Sequence, residues 1–139
     1  MKRRVLLDTG PLVALIREQD QFHAWATAQF AALEPPLLTC EAVITEACFL
    51  MRKLYPGSEA VLLLMERGVV EIGFNLNQEF REIQKLITRY QSVPMSLADG
   101  CLVRMSEQFL GSSILTLDSD FTIYRKHNRQ PIPVIMPDF

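Results

Sequence analysis

Val5-Leu6-Leu7-Asp8-Thr9-Gly10-Pro11 is the stretch on which the reading of this chain turns. The short apolar run within residues 4–8, ending in Asp8, suits a strand of a parallel sheet buried on both faces. Gly10-Pro11 then turns the chain into a helix, because proline is tolerated in a first helical turn. A buried strand that ends in an aspartate and passes directly into a helix is half of a β–α unit. It also leaves a carboxylate at the carboxyl edge of the sheet.

The same alternation continues outward. Residues 20–34 carry Phe22, Trp25, Ala26, Phe30 and Leu33 at helical spacing, with Asp20 placed to cap and Pro35-Pro36 to stop the helix. Leu37-Leu38-Thr39 reads as a short strand leading into a helix at about 41–54 that contains Glu46. Tyr55-Pro56-Gly57-Ser58 is a turn. A helix at about 58–67 ends at Gly68, a strand follows at 69–72, and a long helix at about 77–91 carries Phe80, Ile83, Leu86, Ile87 and Tyr90 on one side. Ser96, with Asp99 three residues on, resembles a capping box and opens a helix to about Phe109. Strand candidates follow at 113–117 and 132–135, and the prolines of the last suit a sheet edge. Strands alternating with helices argue for an α/β fold with a parallel sheet covered on both faces, and residues 1–139 read as one domain.

Composition excludes several classes. With 49% hydrophobic and 22% charged residues the chain resembles an ordinary soluble domain. No apolar run reaches the roughly 18 residues of a membrane span. The basic start Met1-Lys2-Arg3-Arg4 lacks the apolar core of a signal peptide and is expected to precede the first strand. Cys40, Cys48 and Cys101 are odd in number and have no zinc spacing, so they are expected to be reduced core thiols of a cytoplasmic protein. The net charge of −2 does not by itself favour nucleic acid. If several carboxylates belong to one site, however, the remaining surface is about neutral to slightly basic.

Those carboxylates are Asp8, Glu46, Asp99 and Asp118, with Asp120 beside the last. Each lies among apolar residues rather than in a charged surface run. Held against a core, a carboxylate is costly unless it is paired or bound to a metal. Several converging on one point repel one another, and a hard cation such as Mg²⁺ relieves that repulsion. Asp8 and Asp118 each follow a predicted strand, and ligands of open parallel sheets bind beyond such strand ends where the strand order reverses. Glu46 and Asp99 lie early in helices that begin near the same edge, whose N–H ends favour anions. The pattern therefore implies metal-assisted chemistry on phosphate esters.

The ordered set resembles the PIN-domain family, in particular the VapC-like toxins of bacterial and archaeal toxin–antitoxin pairs. Asp8 stands in a Leu-x-Asp-Thr-Gly context, Glu46 early in the third helix, Asp99 in a Ser-x-x-Asp context opening a later helix, and Asp118 in Thr-x-Asp-x-Asp-Phe with Asp120 as an auxiliary fifth. Phe121-Thr-Ile-Tyr124-Arg125 and Gln130-Pro131-Ile132-Pro133 are also similar to the family's C-terminal end. The resemblance implies a three-layer α/β/α sandwich around a mainly parallel sheet of about four to five strands, and a Mg²⁺- or Mn²⁺-dependent ribonuclease. It makes Asp8 the central metal ligand and places Asp99 and Asp118 in the same shell. Glu46 would hold a water or a second ion. Thr9, Ser96, Thr116 and Asp120 would orient these ligands. RNA, an antitoxin and a second copy of the chain are the implied partners, with no membrane. Two positions depart from the pattern: Gly100 replaces the usual Ala, at about 1 kcal/mol in helix propensity, and Gly10 replaces a common Ser.

Several of these residues also have plainer readings. Asp99 alone is a helix N3 residue bonded back to Ser96, Asp118 and Asp120 alone make a turn, and Glu46 alone is an exposed helix residue. Glu41 competes with Glu46 but reads as a partner of the helix dipole. His23 and His127 read as surface or packing residues. Arg81, Lys85 and Arg89 read as a solvated stripe, whereas Arg125, Lys126 and Arg129 are candidate phosphate contacts close after the aspartate pair. Among competing functions, a haloacid-dehalogenase-like phosphatase needs an acid two residues after Asp8, where Gly10 stands. A solitary PIN protein of RNA processing and a PIN-like module that binds RNA or protein without cutting remain alternatives.

Overall fold

The computed structural model describes residues 3–138, so Met1 and Lys2 of the basic start lie outside the described residues. Five short strands form one parallel sheet: β1 (Val5–Leu7), β2 (Leu37–Thr39), β3 (Val70–Ile72), β4 (Ser113–Leu115) and β7 (Val134–Ile135), in the order β3-β2-β1-β4-β7. Leu6 lies opposite Leu38 on one side and Ile114 on the other. All three are buried, with Leu7, Leu37 and Leu115, which is why the apolar runs carry no polar alternation. Burying one such side chain is worth about 1.5–3 kcal/mol.

Among the described residues, six helices cover the sheet in a three-layer α/β/α arrangement. α1 (Thr9–Ile16) packs on α2 (His23–Ala32) and α3 (Glu41–Leu50), and α3 packs on α4 (Ser58–Glu66). α5 (Leu76–Arg89) packs on α6 (Leu97–Gln108), which also touches α3, β1 and β4. The chain builds β1, β2 and β3 to one side and then crosses back to place β4 on the other side of β1. Strand order therefore reverses at β1, where a parallel sheet opens a crevice.

Two glycines use positive φ. Gly68, directly after the α4 C-cap, and Gly111, in the turn closed by the Ser112 N–H on the Phe109 carbonyl, adopt φ of 75° and 74°, a left-handed conformation that costs glycine little. Gly100 serves a different purpose from the one its helix propensity suggests. It is buried in α6, and a Cβ there would stand 3.0 Å from Ile83 Cγ2 of α5. The missing side chain sets how closely α5 and α6 approach.

Some boundaries differ from the sequence reading. α2 begins at His23, not at residue 20. The Asp20 carboxylate accepts the Phe22 N–H at 2.9 Å, and its carbonyl takes the His23 N–H, so it shapes the approach to the helix rather than capping it. α3 closes at Leu50, short of 54, in a turn through Met51. The strands predicted at 113–117 and 132–135 shorten to Ser113–Leu115 and Val134–Ile135. A small antiparallel hairpin of β5 (Arg125–Lys126) and β6 (Gln130–Pro131) was not anticipated. Cys40 and Cys101 are buried free thiols, and Cys48 is half-buried.

Candidate active site

Asp8, Asp99 and Asp118 sit at junctions between elements that the fold brings to the crevice, and Glu46 reaches it from the middle of α3. Asp8 follows β1 and caps α1, its Oδ1 accepting the Thr9 N–H at 2.8 Å. Thr116 follows β4 and donates its hydroxyl to Asp8 Oδ2 at 2.7 Å. The same hydroxyl accepts the Asp118 N–H at 2.9 Å. Asp118 caps the 3-10 turn Ser119–Thr122, taking the Asp120 N–H at 2.9 Å. From α1, the Thr9 hydroxyl donates to Glu46 Oε2 on α3 at 3.3 Å. At the start of α6, Ser96 and Asp99 form a reciprocal capping box: Asp99 Oδ2 accepts the Ser96 N–H at 3.1 Å, and Ser96 Oγ accepts the Asp99 N–H at 3.0 Å.

The plainer reading of Asp99 as a capping residue is therefore geometrically correct, and the cap uses one carboxylate oxygen, Oδ2. Both of Asp8's oxygens are hydrogen-bonded, which fixes its orientation. Asp8, Glu46, Asp99 and Asp118 together line an open pocket of about 550 Å³, with Thr9, Ser96 and Ser119 among its polar walls. Asp120 does not line it and contributes its backbone N–H instead. Leu50, Leu117 and Gly10 complete the walls. A Cβ on Gly10 would stand 3.2 Å from Leu117, so that wall occupies the space a serine would need.

The electrostatics follow from burial. Asp8 is only 7% exposed. Burial pushes its carboxyl up to about 6, aided by the charges of Asp99 and Asp118, while the bonds from Thr116 and Thr9 work the other way. Asp99 is also raised by burial and by Asp118 and Glu46, with the Ser96 bonds opposing. No Lys or Arg lines the pocket among the described residues. Four carboxylates without a cationic partner among the described residues, two of them held above their ordinary range, are a donor set of the kind that hard divalent cations favour. Among the described residues no three His, Cys, Asp or Glu side chains stand close enough together to hold one metal ion.

The basic candidates lie elsewhere. Arg125, Lys126 and Arg129 belong to the β5–β6 hairpin, outside the pocket lining. Arg125 Nη1 donates to the carbonyls of Thr122, Ile123 and Tyr124, so it tightens the turn after Asp118. Tyr124, read in the sequence only as part of the C-terminal motif, is a support of the site. It is fully buried, packs edge-on against Tyr90 and Phe121, and donates its hydroxyl to the Pro94 carbonyl at 3.2 Å, just before the Ser96 cap. Burial raises its phenol, and the charges of Asp99, Asp120 and Asp118 push the same way. Its aromatic character was visible in the sequence, but its contact with residues some thirty positions away was not.

The fold and site define an α/β protein with a carboxylate cluster at the switch point of a parallel sheet. The chain belongs to the PIN domain family, whose model matches residues 5–126. Among solved structures it is similar to VapC20 of Mycobacterium tuberculosis, a sarcin–ricin loop cleaving toxin. The two share 19% sequence identity over 91% of this chain and 99% of that one, with a TM-score of 0.76. This likeness is one of fold. No curated protein matches the sequence.

Proposed function

We propose that this chain is a divalent-metal-dependent endoribonuclease that hydrolyses RNA phosphodiester bonds, acting in the cytoplasm as the toxin of a toxin–antitoxin pair. The observation that carries the reading is the convergence of Asp8, Glu46, Asp99 and Asp118 on one open pocket whose described lining holds no cationic side chain. Membership of the PIN family supports nuclease chemistry, and the name of the M. tuberculosis relative supports RNA as the substrate class.

In this reading Asp8, Asp99 and Asp118 hold Mg²⁺ or Mn²⁺, directly or through water, and Glu46 faces them across the pocket. A bound divalent ion supplies Lewis acidity and charge neutralisation for hydrolysis of a phosphodiester. The chain's own contribution is orientation. Thr116 fixes Asp8 and the backbone of Asp118 with a single hydroxyl. Thr9 ties Glu46 to the start of α1, and Ser96 holds Asp99 by one oxygen and leaves the other for ligation. Supports of this kind keep ligands in place before substrate arrives. Lys126 and Arg129 remain candidates for distant phosphates. Arg125 does not, because its guanidinium is committed to carbonyls.

An antitoxin peptide and a second copy of the chain are the proposed protein partners, and the whole of 1–139 is taken as one PIN domain. Exposed Leu54, Tyr55, Leu62 and Leu63, with Tyr55 90% exposed, offer apolar surface for such contacts. No helix among the described residues is long and apolar enough to cross a membrane.

The test is cleavage of a mixed pool of structured and single-stranded RNA, with Mg²⁺, Mn²⁺ or EDTA, by wild type and Asp99→Asn. Asparagine can still cap Ser96, so the variant is expected to fold and to lose cutting by at least about 100-fold. Cutting in EDTA, or equal cutting by the variant, would remove the reading.

A further inference from the structure

We infer that the apolar cavity beside the carboxylate pocket is a nucleobase subsite, which receives the base of a nucleotide next to the scissile phosphodiester. This rests on the ribonuclease reading and extends it from the phosphate to the base.

The cavity encloses about 890 Å³ and is mostly apolar. Its walls come from one face of α3, from Glu41 to Phe49, and from the starts of α5 and α6 around Leu76 and Leu97, with Phe74 just before α5. Glu46 and Ser96 line both this cavity and the carboxylate pocket. The two spaces are therefore adjoining. A polymer whose phosphodiester lies on the carboxylates has its neighbouring base within reach of the cavity.

Shape and hydrogen-bonding groups favour a nucleobase as the occupant. Phe49 is 59% exposed although it is a large apolar side chain at the end of α3. The Arg52 guanidinium lies 4.0 Å from its ring centroid and donates Nη1 to the Phe49 carbonyl at 2.7 Å. The ring is thus steadied from one side without being buried, as a stacking platform needs. Polar groups at the rim are of both kinds. Asn75 Oδ1 is occupied by the Gln78 N–H, which leaves its amide nitrogen to donate, and Glu41 offers only acceptors. A heterocycle with donors and acceptors on one edge uses both groups, and an aliphatic side chain uses neither.

The experiment uses oligoribonucleotides that carry one 2-aminopurine, moved base by base across the cleaved linkage and bound to full-length Asp8→Asn protein. Quenching is expected at one position flanking the linkage, and it should be lost when Phe49→Ala is added. Circular dichroism would check that the variant is folded, which its exposure leads one to expect. Leu97→Trp, which fills the mouth of the cavity, should abolish the same signal. In cleavage by otherwise wild-type protein, Phe49→Ala and removal of that one base should each lower kcat/KM by roughly tenfold. Combined, they should cost no more than either alone.

Cleavage in which no flanking 2-aminopurine responds to binding, or in which the two losses multiply, overturns the subsite and leaves the cavity to a protein partner. RNA that wild type does not cut removes the nuclease reading and the subsite with it, whereas cutting without quenching removes the subsite alone. The two failures are therefore separable.

Discussion

The two ends of α6 treat negative charge in opposite ways. Toward its C-terminal end, Arg104 donates Nε to Glu79 of α5 at 2.6 Å and Nη1 to Glu107 at 3.1 Å, while Glu107 also accepts the His127 N–H at 2.7 Å. Every carboxylate in that corner has a partner, and the result is a clasp between α5, α6 and the hairpin. At the N-terminal end, Asp99 joins Asp8, Glu46 and Asp118, and hydroxyl and backbone N–H groups are the donors shown there. Pairing of the first kind holds the fold together. Charge left uncompensated in the second kind is free energy that a bound cation recovers.

If that contrast is right, the largest effect should be a gain of stability on removing a site carboxylate. Asp8 is raised from 3.8 to about 6, so the folded protein holds its proton more tightly than the unfolded chain does. The metal-free fold therefore loses stability as pH rises from about 4 to 6, and the loss persists above that window. A shift of this size corresponds to about 3 kcal/mol at most, at 1.36 kcal/mol per unit. Asp8→Asn should be more stable than wild type at pH 7 in EDTA by up to that amount, and near equal to it below pH 4, by urea denaturation. A variant less stable than wild type at pH 7 would break the contrast.

The next effect concerns the support of that carboxylate. Thr116→Val keeps the shape of a fully buried side chain but removes the hydroxyl shared by Asp8 and Asp118. Mn²⁺ affinity should fall by about 10- to 100-fold by calorimetry. The clasp provides the opposite control. Arg104→Met strands two carboxylates, and because the side chain is a quarter exposed the expected loss is about 1–2 kcal/mol in stability, with Mn²⁺ affinity unchanged. Gly100→Ala, between the two corners, should cost about 1 kcal/mol despite its better helix propensity. Ile83 is buried and must yield to the new Cβ. A higher thermal midpoint for this variant would show that the α5–α6 contact has slack.

The sheet was legible because β1, β2 and β4 are apolar without alternation, and such runs have few other places in a fold. The hairpin was not, since its strands have two residues each and its turn uses His127 and Asn128 at positive φ instead of the Asn-Gly signal. The approach to α2 misled for a different reason: Asp20 is a capping residue by type, but it lies two residues before the N-cap Phe22 and bonds to that residue's N–H. In the site, the carboxylates were readable one by one: Asp8 and Asp118 after strands, Asp99 at a helix start and Glu46 within a helix. Their coupling was not, because the Thr9–Glu46 and Thr116–Asp8 bonds span 37 and 108 residues and exist only once β1 lies between β2 and β4. The Arg125 guanidinium looked free for phosphate because its carbonyl partners are backbone, which residue type does not reveal.

The most direct measurement is the thermal midpoint of metal-free protein at pH 7.5 as Mn²⁺ is added, for wild type and Asp8→Asn. Mn²⁺ at 100 times its Kd should stabilise wild type by about 2.7 kcal/mol, or roughly 5–10 °C, and Asp8→Asn far less. A wild-type midpoint that does not move, or an equal rise in both proteins, would contradict the assignment of this corner as a cation site.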